Sequence, residues 1–143
     1  MAPEPLVVDT WGWLALADDS ERAHAGVRQA LAAAWKAGAA TVTTDYILDE
    51  TFTITSRRLA ATKAKRFMSI LESAEMDGTL NVEWIARERF ERAKALRLRL
   101  RDKPLISFTD LTTMVMMQER RLTRIVTADQ HFRQVGFGFE LVP

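Results

Sequence analysis

Residues 6–10 read Leu-Val-Val-Asp-Thr: three apolar residues, then an acid, then a hydroxyl. So short an apolar run predicts a buried strand over residues 6–8, with Asp9 at its carboxyl end. The pattern returns far along the chain, where residues 124–127 predict a strand that stops just before Asp129. Between the two, the periodicity alternates. Residues 21–36 carry Val27, Ala30, Leu31, Ala34 and Trp35 at helical spacing and stop before Gly38, whereas residues 40–43 read as a second strand. Thr44 or Asp45 can cap the next helix, whose inner face is Ile47, Leu48, Thr51, Phe52 and Thr55. Helix continues over residues 62–75, and the Asp77-Gly78 turn leads to a third short strand at residues 80–82. Residues 85–101 read as one long helix: residues 96–101 alternate with period 2, but helix formers run through them until Pro104 ends the element. Ser107 caps a further helix with Leu111, Met114, Val115 and Gln118, and residues 139–142 form a last strand after Gly136 and Gly138. Strands alternating with helices predict an α/β fold, a three-layer α/β/α sandwich on a mostly parallel central sheet of four or five strands.

Length and composition bound the rest. A chain of 143 residues, 48% hydrophobic and 27% charged, is sized for one domain over residues 1–143 with a full core. With no cysteine there is no disulfide framework, thiolate metal site or cysteine nucleophile. The longest apolar run, residues 30–35, falls far short of the ~18 residues that span a bilayer. Pro3, Glu4 and Pro5 stand where a secretory signal would need basic and then apolar residues, so a cytoplasmic location is expected. Twenty Lys and Arg nearly balance nineteen Asp and Glu, but unevenly: residues 1–50 carry net −5, residues 51–109 net +6, and the remainder is neutral. A phosphate-attracting surface beside an acidic pocket fits that distribution.

Ligands of an open parallel sheet bind beyond the carboxyl ends of its strands, so acids there matter most. Asp9 and Asp129 each follow a strand, Glu50 sits within two turns of the helix leaving the second strand, and Asp110 opens the helix after Ser107. Carboxylates sharing one crevice repel unless a cation neutralises them, and oxygen ligands without His or Cys suit Mg2+ or Mn2+. Such an ion suits phosphodiester hydrolysis without any side-chain nucleophile. Each acid also has a purely structural use. Asp110 completes a capping box with Ser107, Asp129 can cap the turn at residues 130–135, and Asp45 can be only an N-cap. Asp49 rivals Glu50. Asp9 and Glu50 are expected at non-capping positions, where an unpaired acid beside apolar residues is costly.

The stretches VVDTWGWLAL, TTDYILDETFT, SFTDLTTMVMMQER, IVTADQHF and VGFGFELVP together resemble the PIN-domain ribonucleases, most nearly the VapC-like toxins of toxin-antitoxin systems. The resemblance covers essentially the whole chain. It implies a small α/β/α sandwich and divalent-metal-dependent RNA cleavage, with Asp9, Glu50, Asp110 and Asp129 as the catalytic and metal-binding acids. It also implies a frequent homodimer and inhibition by a short antitoxin. Trp11 departs from the pattern, since many relatives carry a small polar residue there. Thr10 and Thr127 are expected to orient an acid or a water through their hydroxyls.

The remaining candidates divide between RNA contact and packing. Arg57, Arg58, Lys63, Lys65 and Arg66 form the first patch for an RNA backbone, and Arg97, Arg99, Arg101 and Lys103 the second, with solvated helix faces as the plain alternative. His24 and His131 read as surface or packing residues, and Met114, Met116 and Met117 as core or dimer surface. Two rivals to a nuclease remain. One is a non-catalytic PIN-like module that binds RNA or protein. The other is a phosphotransfer domain with Asp9 as nucleophile, disfavoured because no second Asp follows two residues on and no Lys closely follows a late strand.

Overall fold

The computed structural model describes residues 2–143. Strand β1 (Leu6–Val8) is wholly buried because it is the middle of the sheet, pairing in parallel with β2 (Thr41–Thr44) on one side and β4 (Arg124–Val126) on the other. The strand β3 (Leu80–Glu83) lies outside β2 and β5 (Glu140–Val142) outside β4, giving the order β3-β2-β1-β4-β5 with every pairing parallel. The chain therefore winds outward from β1 in both directions, and the junction of β1 and β4 is where an α/β sheet opens a ligand crevice.

Alternation along β1 divides the core. Leu6 and Val8, with Leu80, Val126 and Val142, pack against α1 (Thr10–Ala17), α2 (His24–Lys36) and α4 (Ala61–Asp77). Val7, Val42 and Ile125 face the other way, onto α5 (Arg87–Arg99), α6 (Phe108–Arg120) and the short α7 (His131–Gln134). The helix α3 (Asp45–Arg58) contributes Ile47 to the first cluster and rests Tyr46 on the second. The three-layer α/β/α architecture is as expected, with five strands. Met114, Met116 and Met117 are core, fully buried. Among the described residues no helix is long and apolar enough to cross a membrane.

Several local expectations change. Helix α1 is not foreseen by periodicity, because TWGWLALA is apolar nearly all round and shows no stripe. Asp9 is its N-cap, accepting a hydrogen bond from the Gly12 N–H at 3.1 Å, so the expectation of a non-capping position for Asp9 is corrected. Gly12 lets α1 lie flat on the sheet: a Cβ there would stand 2.8 Å from Val8 Cγ1 and 2.9 Å from Val126 Cγ1. Trp13 fastens the same helix by donating from Nε1 to Thr43 Oγ1 at 3.0 Å. Thr44, not Asp45, caps α3, accepting from the Ile47 N–H at 3.0 Å. The Asp45 carboxylate instead accepts from the Ile85 N–H at 2.7 Å, holding Ile85 outside α5. Arg97 is no solvated cation. It donates to the carbonyls of Ile106, Leu100 and Lys103 at 2.6, 2.8 and 2.7 Å, which clamps the loop of residues 100–107. Arg89 bridges Glu119 at 2.9 Å and Glu83 at 3.2 Å, clasping α5 to α6 and β3.

Candidate active site

The loops leaving β1 and β4 carry acids on neighbouring strands, so Asp9 and Asp129 meet at the sheet's open end. The first turn of α6 brings Asp110, and α3 brings Glu50, to the same cleft of about 400 Å³. Thr10, Trp11, Leu105 and His131 also line it, and no Lys or Arg does. Asp49, one residue from Glu50, is exposed and lies off the cleft.

Short hydrogen bonds fix these groups. Ser107 Oγ accepts from the Asp110 N–H at 3.0 Å, so the cap expected there exists, and the same turn aims Asp110 into the cleft. Thr127 Oγ1 accepts from the Asp129 N–H at 3.0 Å, and the Thr127 side chain also hydrogen-bonds Asp9. Asp129 Oδ1 accepts from the His131 N–H at 2.9 Å. His131 Nδ1 lies 3.0 Å from that oxygen but without the alignment of a hydrogen bond. The Thr10 hydroxyl is buried and has no hydrogen-bond partner among the described residues.

The electrostatics follow from that enclosure. Burial pushes the Asp9 carboxyl up to about 7, against the opposing pull of the Thr127 and Gly12 hydrogen bonds, and the charges of Asp110 and Asp129 add to the rise. Asp110 is likewise raised to about 7, by burial first, then by the charge of Asp129, with Glu50 contributing. A cleft that withdraws acids from water, with one imidazole but no Lys or Arg in its lining and with an orphaned hydroxyl, is short of positive charge, and its donors are mostly hard oxygens. One ligand atom each from Asp110, Asp129 and His131 lies within 4.8 Å of the others, close enough to share an ion. The residues present therefore fit a divalent cation.

His131, expected as a surface or packing residue, stands in the cleft. The signal for it was the spacing Asp-x-His just past a strand, on which one tight turn brings the imidazole back beside the carboxylate. His24 stays structural: its Nδ1 is 2.8 Å from the Ala15 carbonyl, joining α2 to α1. Arg57, Arg58, Lys63, Lys65 and Arg66 are all exposed and none lines the cleft. Lys63 and Arg66 instead flank a separate groove between α1, α2 and α4, where Lys63 pairs with Asp19 at 3.5 Å.

A family model for the PIN domain matches residues 6–138. The chain belongs to the PIN domain family. The resemblance carried by the five motif stretches is thus borne out. No curated protein matches this PIN domain in sequence. Solved structures do match it in fold. A Mycobacterium tuberculosis VapC20, described as a sarcin-ricin loop cleaving toxin, superposes with a TM-score of 0.79 at 23% identity, over 96% of this chain and 99% of that one. VapBC2 of Rickettsia felis, bound to a promoter DNA fragment, gives a TM-score of 0.72 at 16% identity, over 95% and 96% of the two chains. A toxin-antitoxin complex from Klebsiella pneumoniae gives 0.67 at 19% identity, over 96% of each chain.

Proposed function

We propose that this PIN domain, one unit over residues 1–143, is a divalent-metal-dependent endoribonuclease and the toxin of a toxin-antitoxin pair. The observation that carries the reading is the cleft itself, in which buried Asp9 and half-buried Asp110 stand beside Asp129 with no Lys or Arg to neutralise them. Asp9, Glu50, Asp110 and Asp129 would hold Mg2+ or Mn2+, with His131 close enough to share in the site. A bound ion of this kind supplies an activated water and neutralises charge at a phosphodiester. Asp9 is held for that work by the Gly12 N–H and the Thr127 hydroxyl, and Asp129 by the N–H bond to Thr127. Thr10 offers a free hydroxyl to a ligand water. Arg57, Arg58, Lys63, Lys65 and Arg66 would hold RNA phosphates outside the cleft, and their exposure suits that task.

The similar toxin and toxin-antitoxin structures support the pairing with a small antitoxin protein. With RNA as substrate, the cytoplasm is the compartment proposed. A homodimer belongs to the same proposal, and light scattering of the purified protein tests it. The nuclease reading is tested by incubating the protein with total RNA in Mn2+ or in EDTA. Cleavage confined to Mn2+ is expected. RNA binding that survives EDTA, with no cleavage in Mn2+, would overturn it in favour of a binding module.

A further inference from the structure

Resting on the nuclease reading, we infer that Trp11 and Leu105 form an apolar clamp in the acidic cleft that holds one unpaired RNA base and so positions the adjoining phosphate at the acids. Trp11 lies in the first turn of α1, two residues past Asp9. It is half-buried: part of it packs on the core beneath α1, and part lines the cleft beside the carboxylates. Leu105 lines the same cleft and is 84% exposed. Its exposure is imposed by structure. Two of the three carbonyl bonds of Arg97 grip the loop on both sides of it, at Lys103 and Ile106, and Ile106 is buried.

Chemistry selects the occupant. The ion that Asp9, Glu50, Asp110 and Asp129 would hold takes the phosphate, so the part of RNA left to lie against the uncharged side chains of Trp11 and Leu105 is the apolar face of a base. Bases stack readily on aromatic side chains whatever their identity, but only when unpaired and unstacked. A duplex keeps those faces covered. The clamp would therefore position the sugar-phosphate next to the acids by holding its base.

The test uses the full chain with fluorescently labelled 12-nucleotide RNAs, and Ca2+ replacing Mn2+ so that binding is read by anisotropy apart from cleavage. Trp11→Leu, which keeps apolar bulk against the core, should weaken binding of single-stranded RNA roughly 5- to 150-fold, the range for loss of one stacked base. Trp11→Phe should stay within about threefold, since the aromatic face is retained. An abasic nucleotide moved along the RNA should reproduce the loss at one position in the wild type and add nothing further in Trp11→Leu, a coupling that a merely structural role for Trp11 would not produce. Leu105→Ser, at an exposed position, should weaken the same RNA and not its abasic form. In Mn2+, Trp11→Leu should raise KM more than it lowers kcat.

Wild-type affinity in both Trp11→Leu and Leu105→Ser, or an abasic penalty undiminished in either, overturns the clamp while leaving the nuclease reading standing. Binding that depends on Trp11 without any cleavage in Mn2+ upholds the clamp and overturns the nuclease reading. A wild-type protein that neither binds nor cuts overturns both.

Discussion

Two depressions of about 400 Å³ each flank helix α1, and they are chemical opposites. The cleft at the ends of β1 and β4 buries carboxylates fixed by caps and turns. The groove between α1, α2 and α4 sets Leu16, Trp35, Phe67 and Ile70 among side chains such as Asp19 and Lys63 that remain largely in water. Apolarity favours the groove as a binding place. Chemistry favours the cleft, because there burial has moved the proton equilibria of Asp9 and Asp110 toward neutrality. The contrast teaches that what marks the proposed reactive place is charge held against its preference, and it can be broken by experiment.

The largest difference is expected in cleavage. Asp9→Asn should reduce metal-dependent RNA cleavage by about 100-fold or more, in line with losing a ligand-level contact, whereas Ile70→Ser in the groove should leave the rate within about twofold. Equal rates for Asp9→Asn and wild type, with both shown folded by circular dichroism, would erase the distinction.

The next effect is on stability without metal. The folded pKa values of Asp9 and Asp110 lie above the ordinary 3.8, so these groups contribute stability that is fully present below 3.8 and lost as pH rises through about 7. Metal-free Asp9→Asn should thus exceed the wild type at pH 8 by on the order of 2–4 kcal/mol, with the gap closing toward pH 4. Adding Mg2+ should stabilise the wild type far more than the variant. Urea unfolding across that range measures all three, and a pH-independent gap would mean that burial does not strain these acids.

Smaller still, Gly12→Ala should destabilise the fold by about 1–3 kcal/mol, because its methyl meets Val8 and Val126 below van der Waals distance. Unchanged urea stability would show that α1 is free to lift from the sheet. Smallest of all, removing the groove's ion pair with Lys63→Ala should shift stability by no more than about 0.5 kcal/mol, since both partners are more than half exposed.

The strands and the four acids were legible because both are local signals: an apolar run, then a carboxylate. Asp9 at β1 and Asp129 past β4 needed only that rule, and the parallel sheet then brought them together. What escaped was set by packing. Helix α1 gave no periodic stripe, since the sheet, α2 and α3 surround it, and missing it hid the capping role of Asp9. Arg97 looked like one more cation of a basic helix until the loop of residues 100–107 folded its carbonyls around the guanidinium. The rivalry of Asp49 and Glu50 turned on which side of one helix faces the cleft, a rotation that sequence spacing leaves open.

The order of the strands carries a consequence for the life of the chain. Asp9 and Asp129 follow adjoining strands but lie 120 residues apart in the sequence. As the protein emerges from the ribosome, β1, β2 and β3 can assemble with α1 to α4 while β4 is still being made. A nascent chain therefore holds Asp9 without Asp129 beside it until β4 has been made. The proposed metal site is in this way incomplete, by topology alone, for most of the chain's synthesis.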